Sequence, residues 1–173
     1  MADKRRETSL TAPSADLDDF DFAILTLVQE NNQLNSHEIG AKVGLSSSAV
    51  QRRLRRLRSS GVIIADVSLI SPAATGNRVI IVVEVSLERE QLQQLREFER
   101  SISALPEVTQ CYYVTGRSDF ILVLNMRSME AYGVFANRVF HSNPNVKQFH
   151  TSVVMNQVKF TTRVELSTAQ PSK

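Results

Sequence analysis

Val43-Gly44-Leu45-Ser46-Ser47-Ser48-Ala49-Val50-Gln51-Arg52-Arg53-Leu54-Arg55-Arg56-Leu57 is the stretch that decides how this chain is built. Gly44 supplies a turn, and Ser46 is placed to cap a helix. Ala49, Val50, Leu54 and Leu57 recur at helical spacing, and Gly61 suits the position just past the helix end. Upstream, Ser36 to Val43 reads as a short helix with Ile39 and Val43 inward and Ser36 as its cap. Before it, a helix begins near Leu17, capped by Asp18 or Asp19, with Phe20, Ile24, Leu27 and Val28 as its apolar stripe. Three short helices, with a tight glycine turn between the second and third, read as a helix-turn-helix.

The charge pattern fits that reading. Over all 173 residues, 20 Lys and Arg face 18 Asp and Glu, a net charge of only +2. The average hides a separation. Residues 1–38 carry Lys4, Arg5 and Arg6 against eight acids, a balance of −5. Residues 39–62 carry Lys42, Arg52, Arg53, Arg55, Arg56 and Arg58 and no acid, a balance of +6. On a helical wheel of about 100° per residue, Leu54 and Leu57 stay within about 40° of Val50, whereas Ser48, Arg52 and Arg55 fall near the opposite side, Arg56 about 120° away, and Gln51, Arg53 and Arg58 on the shoulders. The third helix therefore has an apolar back and an arginine-rich front, and no acid at i±4 to balance it.

A helix laid in the major groove presents its N-terminal part to base edges. Ser47, Ser48, Gln51 and Arg52 occupy that part. Arginine donates twice to guanine, and glutamine pairs in the same way with adenine. Arg53, Arg55, Arg56 and Arg58 are then expected to neutralise phosphates, which fixes register without reading sequence.

The rest of the chain has a different period. Val62 to Ile70 is β-branched and partly alternating, and is expected to form a strand or wing. Pro72 and Gly76 mark a linker. Beyond it, a strand over Arg78–Leu87, a helix over Glu88–Leu105 and a strand over Val108–Thr115 follow in order. Then come the turn Gly116-Arg117-Ser118, a strand over Asp119–Met126, a helix from Ser128 or Met129 to His141 and a strand over Val146–Val154. That order is βαββαβ, the ferredoxin-like split unit, and the strands flanking Gly116 should pair as a hairpin. The fold class is α+β. The expected divisions are a flexible tail over 1–15, a winged helix-turn-helix over 16–64, a strand and linker over 65–77, an effector-binding and oligomerisation domain over 78–163, and a flexible tail over 164–173.

Two stretches carry a more specific pattern. One is Leu17-Asp18-x-x-Asp21-x-x-Ile24-Leu25 followed by Val43-Gly44-Leu45-Ser46-x-x-x-Val50-x-x-Arg53-Leu54-x-Arg56-Leu57-x-x-x-Gly61-Val62-Ile63. The other is Thr115-Gly116-x-x-Asp119 with Thr151-Ser152-x-Val154 and Val158-Lys159-x-Thr161-Thr162. Together they resemble the Lrp/AsnC (feast/famine) family of prokaryotic transcriptional regulators over about residues 16–166. The resemblance implies a cytoplasmic, sequence-specific regulator that binds double-stranded DNA through a winged helix-turn-helix. Its second domain would pair into homodimers, assemble further into octamers or similar rings, and bind a small effector, usually an amino acid. Carried over, Val114 and Gly116 would offer backbone groups to that effector, Asp119 would receive its ammonium, and Thr151 would bond its carboxylate or side chain. As residues alone, the same turn reads simply as a tight hairpin connection. Gly40 stands where the family usually has Ala, Arg58 stands where an acid is common, and the N-terminal tail is longer than typical.

Other chemistries find little support. Cys111 is the only cysteine, and its apolar surroundings suit a buried, inert thiol. His37, His141 and His150 share no metal-ligand spacing. No phosphate loop, nucleophile elbow or supported carboxylate pair is present. No signal segment opens the sequence, and no apolar run approaches the ~20 residues needed to cross a bilayer. The expectation is a non-enzyme with no cofactor or metal and no membrane partner. The alternatives are an architectural DNA-organising protein without effector, and an enzyme of the sirohaem-decarboxylase type found on related folds.

Overall fold

The computed structural model describes residues 16–76, 79–89 and 91–166. The tail expected over residues 1–15 lies outside them. The described residues form two compact units, residues 16–68 with 161–166, and the span within 69–160.

The first unit holds three helices, α1 (Asp19–Glu30), α2 (Ser36–Val43) and α3 (Ser47–Ser59). Each is capped by a side chain. Asp18 accepts the Asp21 N–H and Asp21 answers by accepting the Asp18 N–H, a reciprocal capping box. Asn35 and Glu38 do the same for α2, so the cap is Asn35 rather than Ser36. Ser46 Oγ accepts the Ala49 N–H at the start of α3. Ile24, Leu25, Ile39, Val50, Leu54 and Leu57 form the buried centre.

The stripe on α1 differs from the expected one. Phe20 is 43% exposed, while Asp21 and Leu25 turn inward. The inward row is thus Asp21, Ile24, Leu25, the i, i+3, i+4 spacing of one helix face. A carboxylate sits where periodicity predicts an apolar side chain. The segment Val62–Ile70 also departs from expectation. Val62 and Ile63 pack on the helices, but residues 64–70 are exposed and irregular, with no ladder partner among the described residues. A period-2 pattern makes a strand only where another edge offers its hydrogen bonds.

Residues near the C-terminal end close this unit. The Gln29 amide grips the backbone of Val164, donating to its carbonyl at 3.2 Å and accepting its N–H at 2.8 Å. Arg163 reaches Glu30 at 3.7 Å, and Leu166 packs against the helical core. The flexible tail expected from residue 164 onward is therefore anchored over 164–166. Its remainder lies outside the described residues.

The second unit is a four-stranded antiparallel sheet with two helices on one face. Its elements are β1 (Val79–Leu87), α4 (Leu92–Ser103), β2 (Val108–Tyr113), β3 (Phe120–Met126), α5 (Met129–Ala136) and β4 (Val146–Val153). The strand order is β2-β3-β1-β4, as the split βαββαβ pattern requires. Strict alternation decides the burial. Ile81, Val83, Val85 and Leu87 of β1 and Phe120, Leu122, Leu124 and Met126 of β3 pack on Phe98, Ile102, Tyr132, Phe135 and Phe140 of the helices. Cys111 packs against this core. Its thiol is pushed up to about 11, chiefly by burial, which keeps it protonated near neutral pH. The last helix ends in a π-helical turn over Asn137–His141, where the Ser142 N–H bonds the Asn137 carbonyl. The wider turn aims Phe140 into the core between Phe135 and Phe149.

Gly40 shows why one atypical residue is required here. A Cβ at this position would lie 2.4 Å from the Leu45 carbonyl oxygen, a backbone atom that cannot rotate away. The Leu45 N–H bonds the Gly40 carbonyl at 3.0 Å, so the turn before α3 is wrapped onto Gly40. Helix propensity alone favours alanine by about 1 kcal/mol. The clash reverses the sign: Gly40→Ala is expected to lower stability by roughly 1–3 kcal/mol, the usual cost of overpacking, measured as a fall in urea midpoint. A rise in midpoint would show that the turn relaxes freely.

Candidate DNA interface and effector turn

α3 presents its residues in three groups. Ser48, Gln51, Arg52 and Arg55 are exposed on its outer side, with Ser47 half-buried beside them. Gln51 Nε2 donates to Ser36 Oγ at 3.1 Å, so α2 fixes the amide that stands toward the N-terminal half of α3. This is the surface expected to meet a DNA groove.

The second group turns back into the protein. Arg53 Nη1 lies 2.8 Å from Asp18 Oδ2 and 2.9 Å from Asp21 Oδ1, and its guanidinium sits 5.5 Å from the centre of the Phe20 ring. Only 21% of the Arg53 side chain is exposed. The phosphate role expected for Arg53 is therefore corrected: its guanidinium neutralises two carboxylates at the start of α1. Arg56 is shared. Its Nη2 also bonds Asp21 Oδ2, while half of its side chain remains exposed. The third group is Arg58 alone, which forms a two-pronged pair with Asp66 at 2.9 and 3.3 Å. That pairing draws Arg58 away from a free phosphate role as well, although it remains exposed.

Asp21 is the signal that a reading by charge blocks overlooks. It is completely buried, and a buried carboxylate demands a cation. An acid on the apolar row of α1, with arginines on the shoulder of α3, is the pattern that could have identified the pair. The neighbouring Asp18 carboxyl is held below its ordinary range, chiefly by the Asp21 backbone N–H and with help from the Arg53 guanidinium, against the opposing effect of burial.

The effector residues are less well gathered. Gly116 has φ +143° in the exposed turn between β2 and β3, a conformation open to glycine. The Val114 N–H is engaged with the Asp119 carbonyl at 2.9 Å, so only the Val114 carbonyl is left to offer. Asp119 Oδ2 accepts the Leu87 N–H at 2.7 Å, next to a register shift in β1. Glu84 anchors the same turn, accepting from Ser118 Oγ at 3.0 Å and from Arg117 at 3.1 Å. Those two bonds, the serine first, hold the Glu84 carboxyl below its ordinary range.

Thr151 lies on β4, opposite Val83, which in turn faces Leu122 of β3. Two strand spacings and three residues of rise separate it from Asp119, on the order of 14 Å. Its hydroxyl bonds the Tyr132 hydroxyl, whose pKa is raised by burial. One chain thus gathers Val114, Gly116 and Asp119 but not Thr151. Among the described residues, no group of three His, Cys, Asp or Glu side chains could hold a metal, and no helix is long and apolar enough to cross a membrane.

Comparison with known proteins completes this picture. Residues 17–64 match a winged helix-turn-helix DNA-binding model, and residues 80–164 match the Lrp/AsnC ligand-binding domain. The HTH-type transcriptional regulator y4tD of Sinorhizobium fredii is 50% identical over 87% of this chain and 89% of its own length. The chain belongs to the Lrp/AsnC family of transcriptional regulators. The leucine-responsive regulatory protein of Escherichia coli is 30% identical over 90% of this chain and 95% of its own length. Among solved structures, an AsnC family regulator from Agrobacterium tumefaciens matches with a TM-score of 0.82 at 28% identity, covering 86% of this chain and 97% of that one. The regulator NMB0573 from Neisseria meningitidis, solved with L-Met, matches with a TM-score of 0.81 at 30% identity, covering 86% and 96%. The sequence resemblance to Lrp/AsnC regulators and the α+β fold class are both correct.

The depressed Asp18 carboxyl makes a pH prediction. An acid whose folded pKa lies below its unfolded value stabilises above the unfolded value, about 3.9, and loses that contribution as pH falls toward the folded one. Thermal midpoints followed from pH 6 down to pH 2 should drop more steeply for the natural protein than for Asp18→Asn. Parallel curves for the two proteins would remove Asp18 from the account of acid stability.

Proposed function

We propose that this Lrp/AsnC regulator is a homodimeric, cytoplasmic protein that lays the outer face of α3 in the major groove and responds to an α-amino acid. The observation that carries the DNA assignment is the exposed row Ser48, Gln51, Arg52 and Arg55 on the second helix of a helix-turn-helix. Ser47, Ser48, Gln51 and Arg52 read base edges. Arg55 and the exposed part of Arg56 take phosphates. Two copies of α3, held by a dimer, would span two half-sites one helical turn apart.

The dimer reading rests on the sheet. Helices cover one face only. The other carries Ile80, Val82, Ile121 and Val123, half-buried, with Tyr112 exposed beside them. An apolar sheet face of this kind is expected to be covered. Assembly of dimers into octamers or related rings extends the same reading.

For the effector, support comes from the ligand-binding domain match and from the relative solved with L-Met. The ammonium end is assigned to Asp119, whose Oδ1 is not the atom engaged by Leu87, with Gly116 and the Val114 carbonyl beside it. Thr151 reaches the same ligand only from a second copy of the chain.

Two measurements test these readings. Two copies of Arg55 and Arg56, neutralising about four phosphates, predict a log–log salt slope of about −3.6. Arg55→Ala should flatten it by about 0.9 for every phosphate the side chain neutralises, whereas Arg52→Ala, which removes a base contact, should relax the sequence preference. A natural-protein slope near −1 would reject the placement of α3. A thermal-shift screen with the common L-amino acids should raise the midpoint for at least one. Asp119→Asn keeps an oxygen for the Leu87 N–H but removes the charge that meets an ammonium, so the shift should vanish while the unliganded midpoint stays close. A silent screen would favour the architectural reading, and an undiminished shift in the variant would remove Asp119 from the site.

A further inference from the structure

α3 carries more arginine than its outer face can use, and the surplus is organised by one residue. Asp21 is completely buried, yet three donors converge on its carboxylate. Arg53 Nη1 bonds Oδ1 at 2.9 Å, the Asp18 N–H bonds Oδ2 at 3.2 Å, and Arg56 Nη2 also bonds Oδ2. Asp18 adds a second carboxylate to Arg53 alone, with both of its oxygens on Nη1 at 2.9 and 2.8 Å. The two arginines therefore end differently. Arg53 is enclosed by Asp18, Asp21 and the Phe20 ring. Arg56 is held on one nitrogen and is half exposed.

We propose that Asp21 is a positioning residue for DNA binding. It withdraws Arg53 from the interface and clamps Arg56 by Nη2, so that the exposed remainder of the Arg56 guanidinium is aimed at a backbone phosphate. The guanidinium suits this task. It is planar, always charged, and has donors along more than one edge, so one edge can hold a carboxylate while another meets a phosphate. A free arginine loses rotamer freedom when it docks, whereas one clamped beforehand has less to lose. Lysine is a poorer substitute, because its three ammonium donors rotate about one point and lack the rigid opposed edges that would hold a carboxylate and a phosphate in fixed directions. Asp21 itself has no access to DNA, and its effect passes through Arg56. The inference rests on the outer face of α3 meeting duplex DNA.

The test is a double-mutant cycle read by fluorescence anisotropy on a labelled duplex of about 30 base pairs, long enough for two half-sites one helical turn apart, at several salt concentrations. Circular dichroism melts fix a temperature at which every variant is folded. Arg56→Ala should weaken binding roughly fivefold and flatten the salt slope by about 0.9 if it neutralises one phosphate. Asp21→Asn should weaken binding to a similar degree in the natural background, yet by less than about 1.5-fold when Arg56 is already alanine. Equal losses in both backgrounds, or no loss, would overturn the proposal and leave Asp21 as a core ion pair only. If Asp21→Asn fails to fold, Arg56→Lys decides. It keeps the charge count at an exposed position, and it should bind within about twofold of Arg56→Ala. Binding equal to the natural protein would overturn the proposal. Absence of duplex binding by the natural protein would instead reject the DNA assignment.

Discussion

The DNA-binding unit is organised around a carboxylate that cannot reach water. Burying a charge is costly unless it is paired and hydrogen-bonded, and breaking one side of such a pair leaves the other stranded. Asp21 is fully enclosed and meets both Arg53 and Arg56. Apolar packing among Ile24, Ile39, Val50 and Leu57 tolerates small rotations of one helix on another. A carboxylate clamped between two guanidiniums does not, because each bond has a direction and a length. Contacts between side chains 32 and 35 residues apart thus add directional bonds to the apolar packing of α3 on α1.

This changes the meaning of the charge segregation. Read along the chain, an acidic block of −5 precedes a basic block of +6 with nothing between. In space the blocks partly close on each other. Asp18 and Asp21 meet Arg53 and Arg56, and Asp66 meets Arg58. The positive charge left free on α3 is narrower than its arginine count, and lies on Arg52, Arg55 and the open part of Arg56. A narrower face is better suited to a single groove than a helix charged all round.

The features legible in the sequence are those that follow from periodicity and caps. The three helices, the βαββαβ order and the hairpin at Gly116 are local or period-bound, and they stand where the pattern puts them. The misreadings share a different cause. The partners of Arg53 lie at the start of another helix, so no i,i+4 rule can find them. Periodicity chooses Phe20 over Asp21 for the inward face of α1, because an acid ordinarily marks a surface position. The wing over residues 64–70 has the composition of a strand but no ladder partner among the described residues. Thr151 and Asp119 share a family pattern, yet antiparallel register sets them two strands apart. Each of these depends on distance in space, which one sequence does not encode directly.

The backbone passes between the two units twice. The first unit combines described residues up to 68 with residues 161–166. The outgoing passage starts at β4, which carries Thr151, and ends where Gln29 grips Val164. The incoming passage ends at β1, the strand whose Leu87 N–H is held by Asp119. One connection is pinned at α1, the helix whose first turn holds Arg53 and Arg56. The outgoing connection ends on a pair of hydrogen bonds between the Gln29 side chain and the Val164 backbone.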